Sequence, residues 1–95
     1  MDFTTHQRAY ATRQLPNREV IEFYHQGVGD TKTAALVLEA CQFIGINPMI
    51  TIPDVWVIRR GSQKVWGEIG IKEELDDAAA RVWKNWGSVE KKLVA

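Results

Sequence analysis

Apolar positions fall into short blocks separated by Gly, Pro and Asp. Val20, Ile21, Phe23 and Tyr24, bounded by Pro16 and Gly27, predict a short helix over 17–26, with Pro16 in its first turn and Gly27 as its stop. After a turn at "GVGD", with Asp30 as N-cap, residues 31–44 are apolar nearly all round. Ala34, Ala35, Leu36, Leu38, Cys41 and Ile44 predict a helix at the centre of a core, ended by Gly45 at C′. The runs "NPMITIP", "DVWVIRR" and "KVWGEIGI" predict three strands, the last two joined by a turn at "GSQ". A last helix runs from near Lys72 to Gly87, and a polar tail follows. The first 15 residues lack a period and read as an arm, so the domain spans 16–95.

Hairpin pairing of Arg59 with Lys64 puts Ile58 opposite Val65 and Val57 opposite Trp66. Alternation then places Trp56, Ile58, Val65, Ile69 and Ile71 on the core side. Val55, Val57 and Trp66 fall on the other side, where a Val–Trp cross-strand pair facing solvent would form a protein-contact surface. On the last helix, Trp83 and Trp86 lie three apart, so either both belong to the core or one packs inward while the other sits near the helix edge.

Charge narrows the function. The 12 basic and 12 acidic residues cancel. The balance is local as well, with three of each sign in 1–29, four in 30–71 and five in 72–95. Nucleic-acid binders draw most of their non-specific affinity from a basic excess, and none is visible here. The single Cys41 excludes an intramolecular disulfide and a multi-cysteine metal site, and reads as a small buried hydrophobe. No apolar run is long enough to cross a membrane. Arg8 and Arg13 against Asp2 weakly suggest an organellar leader, but the chain is read as intracellular, cytoplasmic rather than organellar.

"LEACQFIGINP" (38–48) and "GEIGIKEELDDAAARVW" (67–83) together resemble the double-stranded-RNA-binding domain. The resemblance rests on Glu39, Gln42 and Gly45 at a first-helix end, on Gly67, Glu68 and Gly70 at a strand end, and on Ala78-Ala79 in the last helix. It covers about residues 33–87 and implies an α+β fold, α-β-β-β-α, here with an extra N-terminal helix and an antiparallel sheet packed on helices. That family grips phosphates with a basic cluster at the start of the last helix. Here the cluster positions fall on Ile71, Lys72 and Leu75, and only Lys72 is basic. Glu73, Glu74, Asp76 and Asp77 suit the helix dipole but repel phosphate. The family's His-bearing loop between its first two strands has no counterpart.

A degenerate member that has lost its grip is expected to serve as a non-catalytic interaction module. Its partner would be a protein, either a second copy or an RNA-processing component, with weak or no duplex RNA binding and no membrane contact. Val55, Val57 and Trp66 are the candidate interface. The alternative is a residual structured-RNA binder using Glu39, Gln42, Lys72 and the basic hairpin tip of Arg59, Arg60 and Lys64. A third reading is a small phage or mobile-element protein that blocks a host complex by direct binding.

Other chemistry is sparse. "GVGD" has the spacing of a Gly-x-x-Gly phosphate clamp, but Asp30 and the lone nearby Lys32 favour a simple turn. A helix-turn-helix would need 31–44 as its reading helix, and that surface is apolar. His6 and His25 sit in no metal or nucleophile spacing, and His25 reads as complementing a helix C-terminus. Successive helical carboxylates do not converge on a metal ion. Neither cofactor, metal nor catalytic residue is expected.

Overall fold

A computed structural model describes residues 9–25 and 31–94. The chain folds in the order β1 (Ala11–Gln14), β2 (Val20–Tyr24), α1 (Thr31–Ile44), β3 (Val55–Arg60), β4 (Gln63–Glu68), α2 (Leu75–Lys84) and α3 (Trp86–Val94). The strands form one antiparallel sheet in the spatial order β1-β2-β3-β4. The protein is therefore α+β, but its order is not α-β-β-β-α behind an N-terminal helix.

The expected helix over 17–26 is strand β2, and the supposed arm supplies β1. Pro16 serves a β-turn instead of a helix start. Arg18 N–H donates to the Leu15 carbonyl at 2.9 Å and Leu15 N–H to Glu19 at 2.8 Å. Arg18 takes a φ of 72°, closing a three-residue hairpin loop. Once folded back, the β-branched and aromatic run of β2 pairs on both sides, with Ile21 opposite both Arg13 and Ile58. Gly27 and Asp30 lie outside the described residues.

The expected strand over 47–53 is a turn. The Asn47 side chain accepts from Met49 N–H at 2.9 Å, and its carbonyl accepts from Ile50 and Thr51. Pro48 and Pro53 remove two of the donors a strand would need. Helix α1 ends as expected: Gly45 takes a φ of 88° and Ile46 N–H reaches back to the Cys41 carbonyl. The β3–β4 hairpin has the predicted register through Arg59–Lys64, Ile58–Val65 and Val57–Trp66. Its two-residue turn carries a positive φ of 60° at Gly61. The polar tail is in fact α3. Asn85 interrupts the last helix, and the segment beyond it folds back to bury Val89 and Leu93.

The sheet is covered on both faces. One core joins Leu15, Ile21, Phe23, Trp56, Ile58, Val65 and Ile69 to Ala78 and Val82 of α2 and to Val89 and Leu93 of α3. The other packs Tyr24, Val55, Val57 and Trp66 under Leu36, Val37 and Ala40 of α1. Cys41 is wholly buried, as expected for a small hydrophobe, and burial raises its thiol pKa. Ile71, expected in the core, is fully exposed in the β4–α2 loop.

A candidate binding cleft at one end of the sheet

The expected interface does not reach the surface. Val55, Val57 and Trp66 do share one face of the hairpin, but they are 0%, 0% and 4% exposed beneath α1. A sheet face covered by its own helix cannot meet a partner without unfolding. His25 follows strand β2 rather than a helix, so it does not complement a helix C-terminus of its own segment.

The basic residues of the hairpin tip are each engaged. Arg59 Nε donates to Glu22 at 2.7 Å and its Nη2 lies 3.3 Å from the Tyr24 hydroxyl. Arg60 donates to Glu19 at 2.6 and 3.2 Å, with Glu90 of α3 3.7 Å away. Lys64 lies 3.7 Å from Glu39 and 5.7 Å from the centre of the Trp66 ring. The fold thus joins two of the candidate RNA contacts, Glu39 and Lys64, as an ion pair. Gln42 is exposed on α1, and Lys72 sits at the opposite end of the sheet.

That opposite end holds the larger opening. The α1–β3 loop and the β4–α2 loop face each other across a cleft of about 730 Å³. They are tied at its floor by Ile69 N–H donating to the Asp54 carbonyl at 2.9 Å. Ile52, Ile69 and Ile71 give the cleft apolar walls, and Asp54, Glu68 and Glu73 bring carboxylates against a single guanidinium, Arg81. Met49 and Ile50 stand 90% and 81% exposed on the loop that supplies Thr51–Pro53 to the cleft.

Within this site Glu73 is locked. Arg81 donates to both its carboxylate oxygens at 2.8 Å, and Gly70 N–H adds a third bond at 3.1 Å. The Arg81 bonds chiefly, helped by Gly70, hold its pKa at about 2. The Glu73 and Arg81 charges cancel, so the cleft's residual charge is that of Asp54 and Glu68. Asp54 also touches His25 Nδ1 at 3.1 Å, and the His25 ring stacks on Tyr10 with centroids 3.5 Å apart. Burial and the neighbouring Asp54 raise the Tyr10 pKa.

No family profile, curated protein or solved structure matches this chain. Among the described residues no group of three or more His, Cys, Asp or Glu could hold a metal ion. No helix there is long and apolar enough to cross a membrane.

Sequence reasoning missed Met49, Ile50 and Ile71 because it assigned them to strands. The signal was present in Pro48 and Pro53, and in Gly70, which mark loops at both ends of those runs. A second signal was the unbroken apolar run Val55–Ile58. Four consecutive apolar residues fit a strand buried on both faces better than one with a wet side.

Proposed function

We propose that this protein is a non-catalytic interaction module whose sheet-end cleft takes an extended segment of another protein, one that carries an apolar side chain beside Lys or Arg. The observation that supports it is the juxtaposition of exposed Ile71 with Asp54 and Glu68 in one open cleft. Exposed large hydrophobics around a concavity are characteristic of recognition surfaces. The apolar anchor would lie between Ile52, Ile69 and Ile71, and its flanking cation would meet the two carboxylates. RNA is disfavoured at this end by the same charges. At the hairpin end, a phosphate would have to displace Glu22, Glu19 or Glu39 from its partner.

The test is selection from a random peptide library on the immobilised protein, followed by backbone amide shift mapping of the strongest binder. The reading expects enrichment of an apolar residue next to Lys or Arg, shifts centred on Ile52, Ile69 and Ile71, and loss of binding in Ile71→Ser and Glu68→Gln. Peptides lacking a cation, or shifts confined to the hairpin tip, would overturn it. So would salt-sensitive binding of a 20-base-pair RNA duplex, titrated alongside at two salt concentrations.

A further inference from the structure

The cleft continues along the end of the sheet. Tyr10 immediately precedes β1, His25 follows β2, Asp54 precedes β3 and Ile69 follows β4. These four residues therefore flank one end of the sheet, one from each strand, in the order of the strands. Direct contacts join them into a row. Tyr10 stacks on His25 with the ring planes 8° apart, and His25 Nδ1 lies 3.1 Å from the Asp54 carboxylate. Ile69 N–H donates to the Asp54 carbonyl at 2.9 Å. Asp54 and Ile69 line the cleft, and His25 and Tyr10 carry the row on to the β1 edge.

A single exposed aromatic is ordinary on a protein surface. What distinguishes Tyr10, 41% exposed, is this unbroken connection to the cleft. Its backbone is fixed by Tyr10 N–H donating to the Phe23 carbonyl at 2.9 Å, and its ring plane is fixed by the stack on His25. A platform ordered before binding loses little entropy when a ligand settles on it. Asp54 and Arg13 act on the Tyr10 hydroxyl with opposite signs, so the platform suits an uncharged ring rather than a second cation.

We infer that Tyr10 forms a second subsite of the cleft, taking an aromatic side chain of the same bound segment. The inference rests on the reading of the cleft as a site for an extended protein segment, and it adds a third element to that segment. Two strand spacings separate Tyr10 from Asp54, about 10 Å along the sheet end. A pleated strand returns its side chains to one face every second residue, about 7 Å, and a polyproline helix every third, about 9 Å. The ring therefore stands two or three residues beyond the cation, on the side away from the apolar anchor among Ile52, Ile69 and Ile71.

The strongest cleft-binding peptide from the library, synthesised with Phe or with Ala at the second and at the third position beyond its cation, tests the subsite by calorimetric titration of the full chain. One Phe peptide is expected to bind about fivefold tighter than its Ala counterpart. That advantage should vanish in Tyr10→Ala and persist in Tyr10→Phe, while the Ala peptides bind all three proteins alike. His25→Ala, which removes the ring beneath Tyr10, should cut the advantage about twofold. Circular dichroism checks that each variant is folded, and Tyr10→Leu replaces Tyr10→Ala if the latter is not. Phe peptides that bind no tighter than Ala peptides overturn the subsite, as does an advantage unchanged by removal of the Tyr10 ring. If those same peptides still lose binding in Ile71→Ser, the cleft reading stands without the subsite. A library that yields no cleft binder overturns both.

Discussion

Arg81 holds Glu73 with two parallel hydrogen bonds of 2.8 Å, eight residues back along the chain, and reaches the Glu68 carbonyl at 3.0 Å with the same guanidinium. One side chain thereby joins the end of β4, the loop before α2 and the body of α2. The pair lies in the wall of the cleft, with the Glu73 side chain 19% exposed. Bidentate geometry of this kind is stronger than an ordinary surface ion pair.

Acid should therefore weaken the protein through Glu73. Its pKa is lowered in the fold from 4.5 to about 2, so the unfolded chain binds the proton first as pH falls. The stabilisation is fully present above about pH 5 and is lost progressively toward pH 2. Urea unfolding is expected to place Glu73→Gln about 1–2 kcal/mol below wild type at pH 7, after allowing for solvent screening, with the gap closing below pH 4. Asp76→Asn is the control. Its ion pair with Arg13 is 2.7 Å long but 83% exposed on the carboxylate side, and the variant should be within about 0.5 kcal/mol of wild type.

Gly67 is required by the indole opposite it. It pairs with Trp56 across β3 and β4, and a Cβ built there would lie only 2.2–2.4 Å from Cε2, Cζ2 and Nε1 of the Trp56 indole. Trp56 is only 6% exposed and has no free direction in which to retreat. Gly67→Ala is expected to cost about 2–3 kcal/mol in thermal unfolding, read together with a shift in tryptophan fluorescence. Gly87→Ala, where a Cβ meets nothing, should not destabilise the fold.

The C-terminal segment is part of the core. Leu93 is fully buried with Val89 against the sheet face that α2 also covers. Leu93→Ala is expected to lower unfolding free energy by about 2–4 kcal/mol, measured by denaturant titration. A tail merely solvated beyond the last helix would show no such loss.

Trp66→Lys separates a surface residue from a structural one. Buried beneath α1 at 4% exposure, Trp66 leaves an uncompensated volume when removed, and the lysine ammonium has no place among Leu36, Val37 and Val57. The variant should lose about 4 kcal/mol or more and unfold cooperatively at lower temperature. A Trp66→Lys protein with unchanged melting would mean that α1 does not cover the sheet.

Local chemistry was legible in the residues alone. The β3–β4 register was legible in the matching runs on either side of Gly61, although Gln63, assigned to the turn, pairs with Arg60 and leaves a turn of two residues. Helix α1 and its end at Gly45 followed from an apolar run and a residue suited to positive φ, but the helix lies on the surface, with Ala34, Ala35 and Leu38, expected in the core, facing solvent. Trp86 packs against the core while Trp83 sits 38% exposed, so the two are not both core residues, and a break at Asn85 puts them on two helices.

What depended on partners distant in sequence was decided only by the tertiary structure. Val20–Tyr24 is too short an apolar run to distinguish strand from turn of helix, and it became a strand because Ala11–Gln14 and Val55–Ile58 pair with it from both sides. The face bearing Val55, Val57 and Trp66 was correctly grouped, yet whether water or α1 lay over it was set by a chain reversal through 45–54. The acidic start of α2 looked like a uniform repellent, but folding paired Glu73 with Arg81 and Asp76 with Arg13. Side-chain period records which residues share a face, whereas the occupant of that face depends on contacts between segments far apart along the chain.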